Sequence, residues 1–283
     1  MATLTKLRRT AAQPATARRP VRRAAYGAVV AVVVLNLVAA LFTGSGEPGT
    51  DQDVVVAGVD ATTAALPLTT TYTTIDGAPL DPAPQSTTTG LVVHPVRETP
   101  VHDAPGGTPL ARLPRTMLRD VGDTWVPVIE QQAGWLRVLL PSRPNGSTGW
   151  IRAADVTEAR TPYLITVHLR SKKLRLEKDG QVVGTWKVGI GKPATPTPAG
   201  RTFLMAAFRD PNQTFSPVIL PLGTHSPTLD TFGGGPGTVA IHTWPTADVF
   251  GTETSDGCIR VPAEALKKLI DVPLGTLVVI TED

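Results

Sequence analysis

The chain has a single cysteine, Cys258, in 283 residues. No intramolecular disulfide can form, so outside the cytoplasm packing alone would hold the fold, and a structural zinc site built on cysteines is excluded. The lone thiol is either a small buried apolar group or a nucleophile. Free cysteines are among the most buried residue types, so the residue alone does not decide. Basic residues are also missing over a long stretch, with none between Arg23 and Arg97, and no acidic residue precedes Glu47. Seven of the 27 basic residues, Lys6, Arg8, Arg9, Arg18, Arg19, Arg22 and Arg23, therefore sit in a leader, leaving 20 against 24 acidic residues and a net charge of minus four beyond it. The sequence pI near 9.2 belongs to that leader. No basic stripe interleaved with aromatics follows, which argues against nucleic acid as a partner.

What is present begins with a basic leader, 1–23, followed by AAYGAVVAVVVLNLVAALF, residues 24–42, uncharged and with one amide, Asn36. At 1.5 Å per residue this run spans about 29 Å, the hydrocarbon thickness of a bilayer. Its flanking charges put the N-terminus in the cytoplasm and the remainder outside, as a single-pass anchor with the C-terminal part on the extracytoplasmic, cell-wall side. The competing reading is a cleaved signal peptide, with the arginine pairs as a twin-arginine element; the run is longer than the usual 7 to 15 residue apolar region and lacks a clear small-x-small site. Either way the rest is exported. Residues 43–90, rich in Thr, Ala, Pro and Gly, have too few large apolar side chains to offset chain entropy and read as a disordered tether.

From 91 to 158 short alternating runs lie between Pro-Gly, Ala-Gly and Asn-Gly turns, which predicts a small β-barrel or sandwich. Trp125 and the pairs Gly134-Trp135 and Gly149-Trp150 resemble strand ends of bacterial Src-homology-3-like domains, modules that often bind wall glycans or peptides. The alternative is a spacer whose three indoles are mainly core. From 162 to 283 the pattern stays β: Ile165, Val167 and Leu169 alternate, then Leu174 and Leu176, then a Lys178-Asp179-Gly180 turn, the strongest short hairpin signal. PGTVAIHTW makes a strand ending near His242. Pro262 to Ile270 is the one convincing helix, with Leu266, Leu269 and Ile270 on one face. PLGTLVVITED closes as a strand. The fold class is mainly β.

A cysteine attacks carbonyls as a thiolate, which calls for an electropositive setting. The helix start at Pro262, Arg260 and an ion pair with His242 would supply it. Gly257 lets the chain turn tightly, leaving amides for a developing oxyanion, and Ser255 can brace the turn. A strand-end histidine is ordinarily just that, but His242 is the histidine nearest Cys258 in sequence, with fifteen residues between them. His94, His102, His168 and His225 show no ligand spacing and read as structural. His225 lies before the glycine-rich FGGGPG, a candidate flap.

AIHTW followed by SDGCIR resembles the signature of L,D-transpeptidase (YkuD-type) catalytic domains, and VGIGKPATPTPAG and PLGTLVVI resemble further segments of the same family. The resemblance implies an L,D-transpeptidase-type β-sandwich and a peptidoglycan L,D-transpeptidase acting on stem peptides through a cysteine thioester. Cys258 would be nucleophile, His242 general base and later acid, and the Thr243 carbonyl the orienter of the imidazole. Amides around Gly257 and Cys258 would form the oxyanion hole, and Arg260 would organise the site or meet a substrate carboxylate. No cofactor and no metal are implied, and a monomer is expected. The sequence departs from the family at Thr243 and Trp244, and at Asp256, where histidine is usual. A carboxylate beside the thiol disfavours thiolate unless it is solvated or paired with Arg260 or protonated His242. It would alternatively bind an incoming amine. Two other readings stay open: a wall-binding protein with an impaired transpeptidase-like domain, and a sortase-like transpeptidase.

Overall fold

The computed structural model describes residues 61–118, 121–233 and 235–283. The basic leader, the expected anchor at 24–42 and the first part of the expected tether lie outside the described residues. Among the described residues no helix is long and apolar enough to cross a membrane.

The first lobe contains β1 (Leu91–Pro95), β2 (Thr99–His102), β3 (Pro109–Leu113), β4 (Thr116–Met117), β5 (Gly122–Asp123), β6 (Val126–Gln132), β7 (Trp135–Leu139), β8 (Thr148–Arg152) and β9 (Val156–Arg160). Seven of these form one sheet in the order β3-β2-β8-β7-β6-β1-β9, with antiparallel pairing, and β4 pairs with β5. The turn glycines Gly106, Gly134 and Gly146 take positive φ, as their dipeptides predict. Only Trp150 of the three indoles is buried; Trp125 and Trp135 stay partly exposed, Trp125 tilted against His94 and Trp135 edge-on to His102.

The tether reading fails for the described stretch up to Gly90. A short α1 (Ala61–Ala64) is followed by chain that seals the edge of the sheet: Thr69 N–H donates to Arg112 O and Arg112 N–H to Pro67 O, covering β3. Ile75 enters the core at 2% exposure, and Asp81 makes a two-pronged ion pair with Arg201 at 2.6 and 2.7 Å. Composition misled here because Thr and Pro can hold an ordered segment through backbone bonds to an existing sheet edge.

The second lobe contains β10 (Tyr163–His168), β11 (Lys173–Lys178), β12 (Gln181–Lys187), β13 (Ile190–Gly191), β14 (Gly200–Phe203), β15 (Leu220–His225), β16 (Thr238–His242), β17 (Glu253–Ser255), β18 (Ile259–Arg260), α2 (Ala263–Leu269) and β19 (Leu277–Thr281). A five-stranded sheet runs β12-β11-β10-β19-β14, and a three-stranded sheet runs β15-β16-β18. Asp179 and Gly180 both take positive φ in the β11–β12 turn, as a tight hairpin requires. Val182 and Val183 are exposed because β12 is the sheet edge. Helix α2 is shorter than expected: Pro262 is its N-cap with extended φ/ψ, and Ile270 caps it at 44% exposure, while Leu266 and Leu269 are buried.

The two lobes have separate cores that meet across a shared strand. On β19, Val278 and Ile280 join the core formed by β10, β11, the small sheet and α2, whereas Leu277 and Val279 join the core of the first lobe. Side chains alternate across a strand, so a strand buried on both faces reads as an unbroken apolar run. The sequence LVVI is that strand. Phe203 and Met205 face the first lobe in the same way, with Leu204 between them facing the other core.

Candidate active site

His242 ends β16 and Cys258 immediately precedes β18, and these strands pair in parallel with Ile241 opposite Ile259 and His242 opposite Arg260. The pairing brings the two sequence-singled residues to one end of the small sheet. His242 is buried, and its Nδ1 lies 2.7 Å from Thr243 O. A carbonyl can only accept, so Nδ1 carries the proton and Nε2 is left bare as a base. Thr243 is itself pinned: its N–H donates to Ser216 Oγ at 3.0 Å and its hydroxyl to Phe215 O at 2.9 Å.

The turn before Cys258 is laid on the 191–197 segment. Thr197 Oγ1 accepts from Gly191 N–H at 2.9 Å and donates to Gly257 O at 2.8 Å, Lys192 N–H donates to Ser255 O at 2.9 Å, and Thr195 Oγ1 donates to the same carbonyl at 3.3 Å. Gly191 admits no side chain: an added Cβ would lie 2.3 Å from Thr195 O. Gly257 has room for a Cβ but sits at φ +116, a conformation that favours glycine. Ser255 Oγ donates to Cys258 O at 2.6 Å and accepts from Gly257 N–H at 3.2 Å.

That last bond bears on the amides expected to form an oxyanion hole. The Gly257 amide is occupied, and Cys258 N–H is the amide of the pair that has no acceptor among the described residues.

The resting charge state also differs from the expected ion pair. Burial pushes the Cys258 thiol above its ordinary value of 9.0; a backbone interaction with Ala240 and the Arg260 charge pull it down, and Asp256 pushes it further up. Burial lowers His242 below 6.5, against the Thr243 hydrogen bond and together with the Arg260 charge. The pair is therefore neutral thiol and neutral imidazole near pH 7. Sequence reasoning weighed nearby positive charge but had no measure of desolvation, which dominates both groups.

Asp256 is paired with neither Arg260 nor His242. Its Oδ1 lies 2.6 Å from Lys192 Nζ, with both side chains half exposed. Lys192 was missed by residue reasoning, although it lies in the Gly-Lys segment quoted for the resemblance, as does Thr197. Phe215 and Ser216 carried no sequence signal. Phe215 packs 4.8 Å from the His242 ring and 5.5 Å from Trp244, and the Arg260 guanidinium lies over Trp244 at 3.9 Å.

The remaining histidines are elsewhere. His94 and His102 bond Thr124 O and Gly107 O, His168 meets Asp283, and His225 is buried with Nε2 donating to Thr71 O at 2.7 Å. No group of three or more His, Cys, Asp or Glu residues able to hold a metal occurs among the described residues. An open hollow of about 290 Å³ lies against Gly191, Pro196 and Thr197, behind the segment that supports the turn, and does not include Cys258 or His242.

Comparison with known proteins matches residues 162–280 to the L,D-transpeptidase catalytic domain family YkuD. The chain is 29% identical over 120 residues to L,D-transpeptidase YkuD of Bacillus subtilis and 30% identical over 121 residues to that of Bacillus licheniformis. Both matches cover 42% of this chain and 66% of the relative, and the names of both relatives leave the activity provisional. The catalytic domain of an L,D-transpeptidase from E. faecium shares 26% identity over 42% of this chain and 96% of that one, with a TM-score of 0.34. Residues 162–280 are thus similar to L,D-transpeptidase catalytic domains of the YkuD type, and the chain spans just under two thirds of the length of the curated relatives it matches.

Proposed function

We propose that the chain is a peptidoglycan L,D-transpeptidase that crosslinks stem peptides through a thioester on Cys258. The observation that supports this reading best is the β16–β18 pairing, which sets a buried imidazole with a bare Nε2 at the same sheet end as the lone thiol. As Sγ attacks the carbonyl preceding a terminal D-alanine, Nε2 takes the thiol proton, and the oxyanion faces Cys258 N–H. Collapse breaks the amide bond and His242 returns the proton to the leaving amine. An amine of a second stem then attacks the thioester, gives a proton to His242, and releases Cys258 as its thiol.

The reaction begins from a neutral pair, so proton transfer accompanies attack rather than preceding it. Lys192 offsets the Asp256 carboxylate, whose charge otherwise opposes thiolate development. In this reading Ala24–Phe42 anchors the chain in the membrane with catalysis on the wall side, the chain acts as a monomer, and the Src-homology-3-like lobe meets the wall. The competing reading, a wall-binding protein with an impaired site, draws on Asp256.

Intact-mass measurement of the full chain in detergent after exposure to a carbapenem tests the proposal. A single covalent adduct is expected, absent from Cys258→Ala, and a disaccharide-tetrapeptide substrate should yield a dimer that has lost one D-alanine. A folded protein that takes no adduct would leave the wall-binding reading in place.

A further inference from the structure

Two cations border the turn that carries Cys258, Lys192 through Asp256 and Arg260 two residues on, and they are not equivalent. Lys192 already has its carboxylate in Asp256. Arg260 has no carboxylate within ion-pair distance among the described residues. Its one side-chain hydrogen bond is a long contact of 3.5 Å from Nη1 to Thr254 Oγ1, and its Nε is buried with no acceptor. Arg97, Arg112, Arg137 and Arg201 each meet an acid, whereas Arg152, Arg160 and Arg260 have none within ion-pair distance among the described residues, and of these three Arg260 is the one whose charge acts on Cys258. An arginine without a carboxylate at that place is open to an anion that arrives from outside.

What keeps that guanidinium in place is an indole. The Trp244 ring centroid lies 3.9 Å from Arg260 Cζ, against 5.5 to 5.9 Å for the other cation–π contacts among the described residues. The backbone is fixed as well, with Arg260 and Gly189 exchanging N–H to O bonds of 2.8 Å in both directions. Trp244 leans on Phe215, and Phe215 on His242, so one aromatic stack joins the arginine to the base. Stacking occupies the face of a guanidinium and leaves its N–H edge free, and that edge matches a carboxylate in two-pronged geometry.

We propose that Trp244 is a positioning residue that clamps Arg260 so that its N–H edge receives a carboxylate of the acyl donor beside Cys258. This rests on the transpeptidase reading and narrows it: donors with a free carboxylate close to the scissile carbonyl are preferred over donors amidated there.

The test does not need transpeptidation. Iodoacetate and iodoacetamide both alkylate Cys258, the thiolate sulfur forming the C–S bond as iodide leaves, and they differ in the carboxylate. At one pH both meet the same thiolate fraction, so the ratio of their rates on the full chain reads anion recognition alone. We expect Trp244→Ala to lower the iodoacetate-to-iodoacetamide ratio about threefold or more, Arg260→Met to lower it at least as far, and Trp244→Phe to restore most of it. A parent ratio retained in Trp244→Ala, or in Arg260→Met, overturns the proposal. The iodoacetamide rate itself shows whether each variant still folds around the thiol, and Trp244→Phe keeps the comparison available if Trp244→Ala does not. A chain with the predicted ratios that makes no crosslinks would sink the transpeptidase reading and leave the clamp standing.

Discussion

Cys258 and His242 show how far residue identity carries. Both could be singled out in the sequence, Cys258 as the lone cysteine after a turn glycine and His242 as the histidine nearest to it, and the β16–β18 pairing sets them at one sheet end. Their charge state could not be read there, because it is set by desolvation, which no local pattern encodes. The consequence is measurable. Burial holds the thiol above 9.0, so the rate of iodoacetamide alkylation at Cys258 should keep rising through pH 9. Burial holds His242 below 6.5, so the imidazole remains neutral, and able to accept the thiol proton, at pH values below 6.5. Acylation by a carbapenem should therefore stay level as pH falls through 6.5 and decline only at lower pH. An alkylation rate that levels off near pH 7 would show a resting ion pair and remove the neutral-pair mechanism.

At the scale of elements, the nucleophile turn depends on a segment sixty residues away. The hairpin at Asp179-Gly180 could be read from the sequence because its signal is local. The layering of 191–197 on 255–257 could not, because each partner looks like an ordinary loop until they meet. Thr197 is the joint, with its hydroxyl used in both directions between Gly191 and Gly257. Thr197→Val keeps the shape and leaves a buried N–H and a buried carbonyl without partners, at about 1–3 kcal/mol for each group so orphaned. We expect acylation of Cys258 by a carbapenem to slow about tenfold or more, with Thr197→Ser recovering most of the loss, and thermal unfolding measured beside it. Equal acylation rates in Val and parent proteins would show that the turn holds without its joint.

For the whole molecule, composition marked 43–90 as tether, and the structure makes the described part of it, 61–90, part of the fold. It closes a sheet edge, places Ile75 in the core and brings Asp81 to Arg201, an ion pair with side chains 2% and 4% exposed. Breaking a buried pair from one side leaves an uncompensated charge and costs about 3–5 kcal/mol. Urea unfolding should show a loss of that size in Asp81→Asn. A version beginning at Leu91 should be less stable than one beginning at Ala61 by at least as much, and equal midpoints would mean that the segment is an accessory.

The alternating side chains of β19 carry one more consequence. Because Leu277 and Val279 belong to one lobe's core and Val278 and Ile280 to the other's, no hinge separates the lobes at this strand. In the proposed function, whatever surface the first lobe settles on, it fixes the angle at which Cys258 is presented, so the lobe contributes aim and not only reach.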